Sequence, residues 1–288
     1  MKLEDLIGEN AGWHYTQAMV KDITEKIRQF PDDPDGYMER AGKYTEAGFH
    51  EDAVNDFTQV ISLDSNNMQA LYSRGLSYAE LGEHRKAIDD YSRLIDLHYS
   101  VPPVYHSRGV SHEAEGDRGQ AIHDYVQAFR LDPKSPRFRQ TLDRFSDAVI
   151  DHSEDLNALF ALGEVWQAQH EFSNAVKIFS EVVRLKPEWD EAYVSRAYCY
   201  RWLQEWQLGS EDYVEAIRLG YRKGRVFESA GYCYQQLGEY QKAIDYYTTE
   251  INDGRPYYKT YTHRGYSYGA IGLTEEAEKD HKKAAELE

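Results

Sequence analysis

Five arginines, Arg40, Arg74, Arg108, Arg196 and Arg264, occupy one position of a recurring pattern, and a row of guanidiniums at fixed spacing could bind an anionic ligand. An aspartate follows each of them 16 residues later: Asp56, Asp90, Asp124, Asp212 and Asp280. Where the arginine is lost the aspartate is lost too, with Leu162 facing Ile178 and Ala230 facing Tyr246. A half-buried ion without its partner costs about 3–5 kcal/mol, so joint gain and loss predicts contact and a structural role in preference to an anion-binding row. Cys199 and Cys233 stand 34 residues apart and could approach each other, but reduced thiols packed as small apolar groups are a simpler reading than a disulfide or a metal pair. The 11 histidines are scattered, and His112 and His281 fall at positions that are aromatic elsewhere, which suits core packing. No glycine-rich phosphate loop, HExxH zinc pattern or nucleophile elbow occurs. Acidic runs such as Asp32 to Asp35 read as solvated turns or helix caps. The expectation is therefore no catalytic residue, no metal ligand and no cofactor; a hydrolase or transferase is the alternative from the enzyme class.

The pattern that carries these residues has a period of 34. Ala53, Ala87 and Ala121 mark it, and after an interruption Ala175, Gly209, Ala243 and Ala277 resume it. Four residues beyond each stands Phe57, Tyr91, Tyr125, Phe179, Tyr213, Tyr247 or His281. Upstream, a small residue recurs at Ala41, Gly75, Gly109, Gly163, Ala197, Gly231 and Gly265, followed by Tyr44, Tyr78, His112, Trp166, Tyr200, Tyr234 and Tyr268. Gly48, Gly82, Gly116, Gly238 and Gly272 close the first half of five units. Apolar positions at helical spacing on both sides of that turn predict a helical hairpin, which cannot bury its own faces and must stack on its neighbours. Small residues then mark close helix crossings, and aromatics fill the space between hairpins.

At these positions the chain resembles the tetratricopeptide repeat family, with Pro133 and Pro187 at unit ends. The resemblance implies an all-α fold, a right-handed α-solenoid (superhelix) of antiparallel helical hairpins, and binding of a partner polypeptide in a groove lined by the first helices. Positions 2, 5, 9, 12 and 13 of each unit commonly face that groove in the family. Carried onto this chain, they nominate Tyr72 and His106 in the second and third units and Phe160, Gln167, Tyr198, Arg201 and Trp202 in the fourth and fifth. Tyr232, Gln235 and Tyr266 follow in the sixth and seventh. Tyrosine and tryptophan offer contact area at low entropic cost, and glutamine can pair with a peptide backbone. The chaperone-binding carboxylate clamp of some members is missing, since Met38, Gly42 and Ser73 stand where Lys, Asn and Asn are needed. A basic group, Arg218, Arg222, Lys223 and Arg225, brackets the connection between the fifth and sixth units and could meet an acidic partner.

The organisation expected is a capping helix within 1–33, three repeats over 34–135, an inserted amphipathic helix over 136–155 and four repeats over 156–288, in one continuous solenoid domain. Phe138, Leu142, Phe145 and Val149 share one face of the inserted helix. Glu278 and Ala285 replace apolar residues of earlier units, so the array is expected to end with a soluble outer face at Glu288. With 33 basic against 50 acidic side chains the net charge is -17, which disfavours nucleic acid and anionic lipid as partners. Two cysteines, an acidic start and no long apolar run suggest a cytoplasmic protein without membrane insertion. Residues 1–135 carry 14 basic and 24 acidic side chains, leaving a second role open: an acidic neutraliser of one dedicated basic protein, in the manner of an immunity protein or antitoxin.

Overall fold

Spacing of apolar residues in threes and fours produces helices throughout. The computed structural model describes residues 17, 18, 20–149, 155–254 and 257–288, and among these every regular element is a helix. In chain order they are α1 (Lys21–Gln29), α2 (Pro34–Glu46), α3 (His50–Leu63), α4 (Met68–Glu80), α5 (His84–Asp96), α6 (Pro102–Ala114), α7 (Arg118–Leu131) and α8 (Pro136–Val149). Then come α9 (Leu156–Ala168), α10 (Phe172–Leu185), α11 (Asp190–Trp202), α12 (Trp206–Leu219), α13 (Val226–Gln236), α14 (Tyr240–Asn252), α15 (Tyr258–Ala270) and α16 (Thr274–Leu287). Asn67, Asp117 and Asp155 cap α4, α7 and α9 through their side chains, and Pro34 and Pro102 open α2 and α6, where a missing N–H is harmless. The parts of the expected cap and inserted helix at 1–16 and 150–154, with the side chains of Phe145 and Val149, lie outside the described residues.

Contacts divide the chain into two compact units, Met1–Phe145 and Ser146–Glu288. The boundary falls inside the helix that interrupts the 34-residue phase. In the first unit each helix from α1 to α7 packs on the next, and in the second each from α9 to α16 does so, with first helices of successive hairpins also touching (α4 on α6, α9 on α11, α13 on α15). Each unit is thus a stack of helical hairpins, an all-α solenoid.

Steric room explains the small residue of each hairpin. A Cβ on Gly75, Gly109 or Gly163 would lie 2.7, 2.7 or 2.5 Å from a ring carbon of Tyr91, Tyr125 or Phe179, the aromatic 16 residues later. These rings are at most 1% exposed and have nowhere to go. The turn between the two helices also needs a left-handed residue, supplied by glycine at Gly48, Gly82, Gly116, Gly238 and Gly272 with φ of 75–85°. In the fourth and fifth hairpins His170 and Gln204 adopt it instead, at φ 61° and 62°.

All five arginine–aspartate pairs form. Each arginine donates Nε and Nη2 to the two carboxylate oxygens at 2.6–2.8 Å, a bidentate geometry that links first helix to second. Where the charges are absent, Leu162 and Ile178 are buried in their place. The remaining Nη1 reaches back 16 residues, at 3.0–3.2 Å, to a hydroxyl of the preceding helix: Thr24, Thr58, Ser92, Ser180 or Thr248. Each arginine therefore ties its own hairpin together and ties it to the helix before. The hydroxyl was readable in the sequence as a third correlated position, since Val126 and Val214 stand there in the units whose next segment brings no arginine at this position.

Candidate functional site

In the second unit α11, α13 and α15 run side by side, and the ends of α11 and α13 with the turn into α12 leave a cleft of about 580 Å³ between them. Trp202, Trp206, Tyr232 and Tyr257 supply aromatic wall, Arg201, Arg225 and Lys259 positive charge, and Glu228, His263, Gln204 and Ser229 the other polar groups. Gln204 reaches this wall from the left-handed turn position that glycine fills in five other hairpins; a side chain there costs about 1 kcal/mol.

The walls hold one another. Trp202, 53% exposed, stacks on Phe172 with the rings 5.6 Å apart and 3° from parallel, and meets Tyr198 edge-on at 6.3 Å. Tyr232 packs edge-on against Trp206 at 5.9 Å and tilts over His263 at 5.4 Å. The Arg201 guanidinium sits 5.6 and 5.7 Å from the ring centres of Tyr198 and Tyr232, so it is held between two π faces. Arg225 lies on the Tyr257 ring at 3.3 Å.

Burial raises the pKa of the Glu228 carboxyl above its ordinary value, opposed first by Arg225, and lowers that of His263, whose ring is also disfavoured as a cation by Lys259 and Arg201. Glu228 Oε1 is 4.0 Å from His263 Nδ1, and Glu228 Oε2 is 3.7 Å from Arg225 Nε. Burial pushes the thiols of Cys199 and Cys233 up to about 12, so both free cysteines are neutral and inert at physiological pH. Among the described residues no cluster of His, Cys, Asp or Glu is arranged to hold a metal ion, and no helix is long and apolar enough to cross a membrane.

The ten residues nominated from the sequence separate into three groups. Arg201, Trp202 and Tyr232 line the cleft, and Tyr198 supports two of them. Tyr266 is 58% exposed beside Tyr240 and takes no part in the cleft. The others serve packing. Phe160 stacks on Trp189 at 4.9 Å; Gln167 accepts from the Cys199 thiol; Gln235 accepts from the Tyr247 hydroxyl at 2.8 Å; Tyr72 packs on Tyr91 with its hydroxyl 3.5 Å from Ser107. His106 corrects its assignment outright: it is 6% exposed, because α8 lies over it and places Phe138 against its ring. The basic group at the fifth connection is largely engaged, with Arg218 on Glu215, Lys223 on Glu191 and Arg222 on the carbonyl oxygens of Ile217 and Tyr221. Gln204, Trp206 and Tyr257 were not nominated; the missing turn glycine was the signal for Gln204, while the other two lie just outside the first helices.

Buried His106 has a consequence for acid stability. Its Nε2 lies 3.1 Å from the Thr141 hydroxyl, which itself donates to the Arg137 carbonyl and so accepts the ring proton. Burial, with Arg137 and Arg144 nearby, lowers its pKa to about 4. The unfolded chain therefore takes up this proton first as pH falls through 6.5, and stability is lost from there down to about 4. His106→Phe, which installs the residue type of Phe160 at the equivalent position, is expected to remove about 2 kcal/mol of the parent's loss between pH 7 and 4.5. Urea titrations of both proteins at the two pH values measure the difference.

Two tetratricopeptide repeat family profiles match the chain, one over residues 44–98 and the other over 102–135 and 225–249. A search of curated proteins gives no match. Among solved structures, a MamA RS-1 double mutant is similar at 19% identity over 60% of this chain and 95% of its own, with a TM-score of 0.51. YrrB, described as a TPR protein with an unusual peptide-binding site, aligns at 17% identity over 69% of this chain and 92% of its own, TM-score 0.38. A tetratricopeptide repeat protein from Parabacteroides merdae aligns at 16% identity over 88% and 93%, TM-score 0.38. With the 34-residue spacing, the small-on-aromatic helix crossings and the profile matches in both units, the chain carries tetratricopeptide repeats in each of its two units.

Proposed function

We propose that this chain is a non-catalytic cytoplasmic interaction protein that grips an extended segment of a partner polypeptide in the cleft of its second unit. The observation that carries this reading is the aromatic wall. Trp202, Trp206, Tyr232 and Tyr257 present ring surface beside polar groups able to pair with a peptide backbone, in a volume suited to a few residues. The repeat fold supports interaction as the class of function, and the peptide-binding site in the name of YrrB belongs to that protein.

The test is affinity capture from lysate at low and high salt with the parent and with Trp202→Ala/Tyr232→Ala. Truncating two central aromatics is expected to cost at least about 2 kcal/mol, roughly 30-fold in affinity, with unchanged circular dichroism. A folded double variant that keeps its partner at parental affinity removes the cleft as the site. A second reading draws on the first unit, where Arg40, Arg74 and Arg108 are already paired and acidic groups remain in excess. One dominant basic protein, released by salt and indifferent to the cleft variant, would favour neutralisation of that protein.

A further inference from the structure

Most arginines among the described residues of this acidic protein have a carboxylate beside them, as the five repeat pairs and Arg184, Arg218 and Arg225 do. Arg201 and Lys259, facing the same cleft, differ: neither side chain makes a hydrogen bond or ion pair with a described residue, and each lies beside aromatic rings. Arg201 also differs from its counterparts in two other hairpins. At its position in the third and sixth hairpins Glu113 and Gln235 accept the hydroxyl of Tyr125 and Tyr247, 12 residues on. A guanidinium has no acceptor, so Arg201 cannot fill that role. The cleft holds a half-buried, ring-flanked cation whose N–H donors make no hydrogen bond with a described residue.

We propose that the cleft selects acidic polypeptide segments, with Arg201 and Lys259 receiving Asp or Glu side-chain carboxylates while Trp202 and Trp206 seat the neighbouring residues. The inference rests on the reading of the cleft as a peptide site and names the chemistry of its occupant. The aromatic wall argues for a peptide over a small inorganic anion: Trp202, Trp206 and Tyr232 line the cleft beside the cations, and phosphate or sulfate has no apolar surface to place on them. Arg225, on the Tyr257 ring and 3.7 Å from Glu228, is the cation that most strongly opposes the Glu228 charge, with lesser contributions from Arg201 and Lys259.

Selection of a random twelve-residue display library on the full chain tests this, followed by binding of the selected peptides made synthetically with acetylated and amidated ends. Selected peptides are expected to be enriched in Asp and Glu next to an apolar or aromatic residue. Changing those acids to Asn and Gln, or the protein to Arg201→Gln/Lys259→Gln, should each weaken binding at least tenfold, and Arg201→Lys should retain part of it. Circular dichroism and urea midpoints check that the variants are folded. Neutral or basic peptides that still depend on Trp202 would overturn the acidic occupant and leave the cleft as a peptide site. Peptides that bind only with a free C-terminus would overturn the side-chain carboxylates. Peptides indifferent to Trp202→Ala, or no selected peptide at all, would overturn both readings.

Discussion

Asp90→Ile is expected to destabilise the first unit by about 3–5 kcal/mol, because it strands the Arg74 guanidinium among helices. The carboxylate it removes accepts two charge-assisted hydrogen bonds, at 2.8 and 2.6 Å, and only 6% of its side-chain surface meets water. Arg74→Leu should cost a comparable amount by leaving the buried Asp90 carboxyl without its partner. The double variant is the informative measurement. Leu162 and Ile178 already occupy the same two positions in the fourth hairpin, fully buried, so Arg74→Leu/Asp90→Ile should recover most of the loss and lie within about 2 kcal/mol of the parent. Coupling close to zero in urea unfolding would mean that the pair does not stabilise the hairpin as a unit. The cost of the double variant that remains should reflect the lost tether from Arg74 to Thr58, an exposed contact that water replaces cheaply.

Gly163→Val should be as damaging by a different route. A Cβ at this position would sit 2.5, 2.8 and 2.9 Å from three carbons of the Phe179 ring, which is completely buried. Alanine is expected to cost about 1–3 kcal/mol through overpacking, and valine more, since its branches also meet the ring. Ala41 and Ala197 carry a methyl at the equivalent position and are fully buried, so the penalty belongs to this crossing and not to the helix as such. Pairing Gly163→Ala with Phe179→Leu opens space for the methyl and should give a favourable coupling in a double-mutant cycle. Strict additivity would show that the ring is not what excludes the side chain.

These two predictions concern the part of the protein that was legible before any coordinates. Hairpins, their small-on-aromatic crossings and the arginine–aspartate pairs are all relations at fixed separation within a 34-residue unit. Repetition displays such relations several times over, and the simultaneous loss at Leu162/Ile178 serves as an internal control. The hydroxyl that each arginine also reaches was equally periodic, and it would have emerged from asking which positions vary together across a unit boundary.

The cleft was legible only in part. Position within a helix says which side a residue takes, yet whether it meets a ligand or a neighbouring hairpin depends on what packs over it. Phe160 meets Trp189 and His106 meets Phe138, and both partners come from elements outside the hairpin that bears the residue. Arg201, Trp202 and Tyr232 stay open because α11, α13 and α15 leave a space there, which Gln204, Trp206 and Tyr257 border from turns and adjoining helices.

The amino-acid order alone determined the all-helical repeat, its buried ion pairs and the chain's acidic character, because local periodicity and charge are properties of the order itself. Only the tertiary structure decided which nominated residues remain accessible and which cations lack a partner. Accessibility and charge compensation are sums over neighbours from different hairpins, and those sums exist only once the hairpins have stacked.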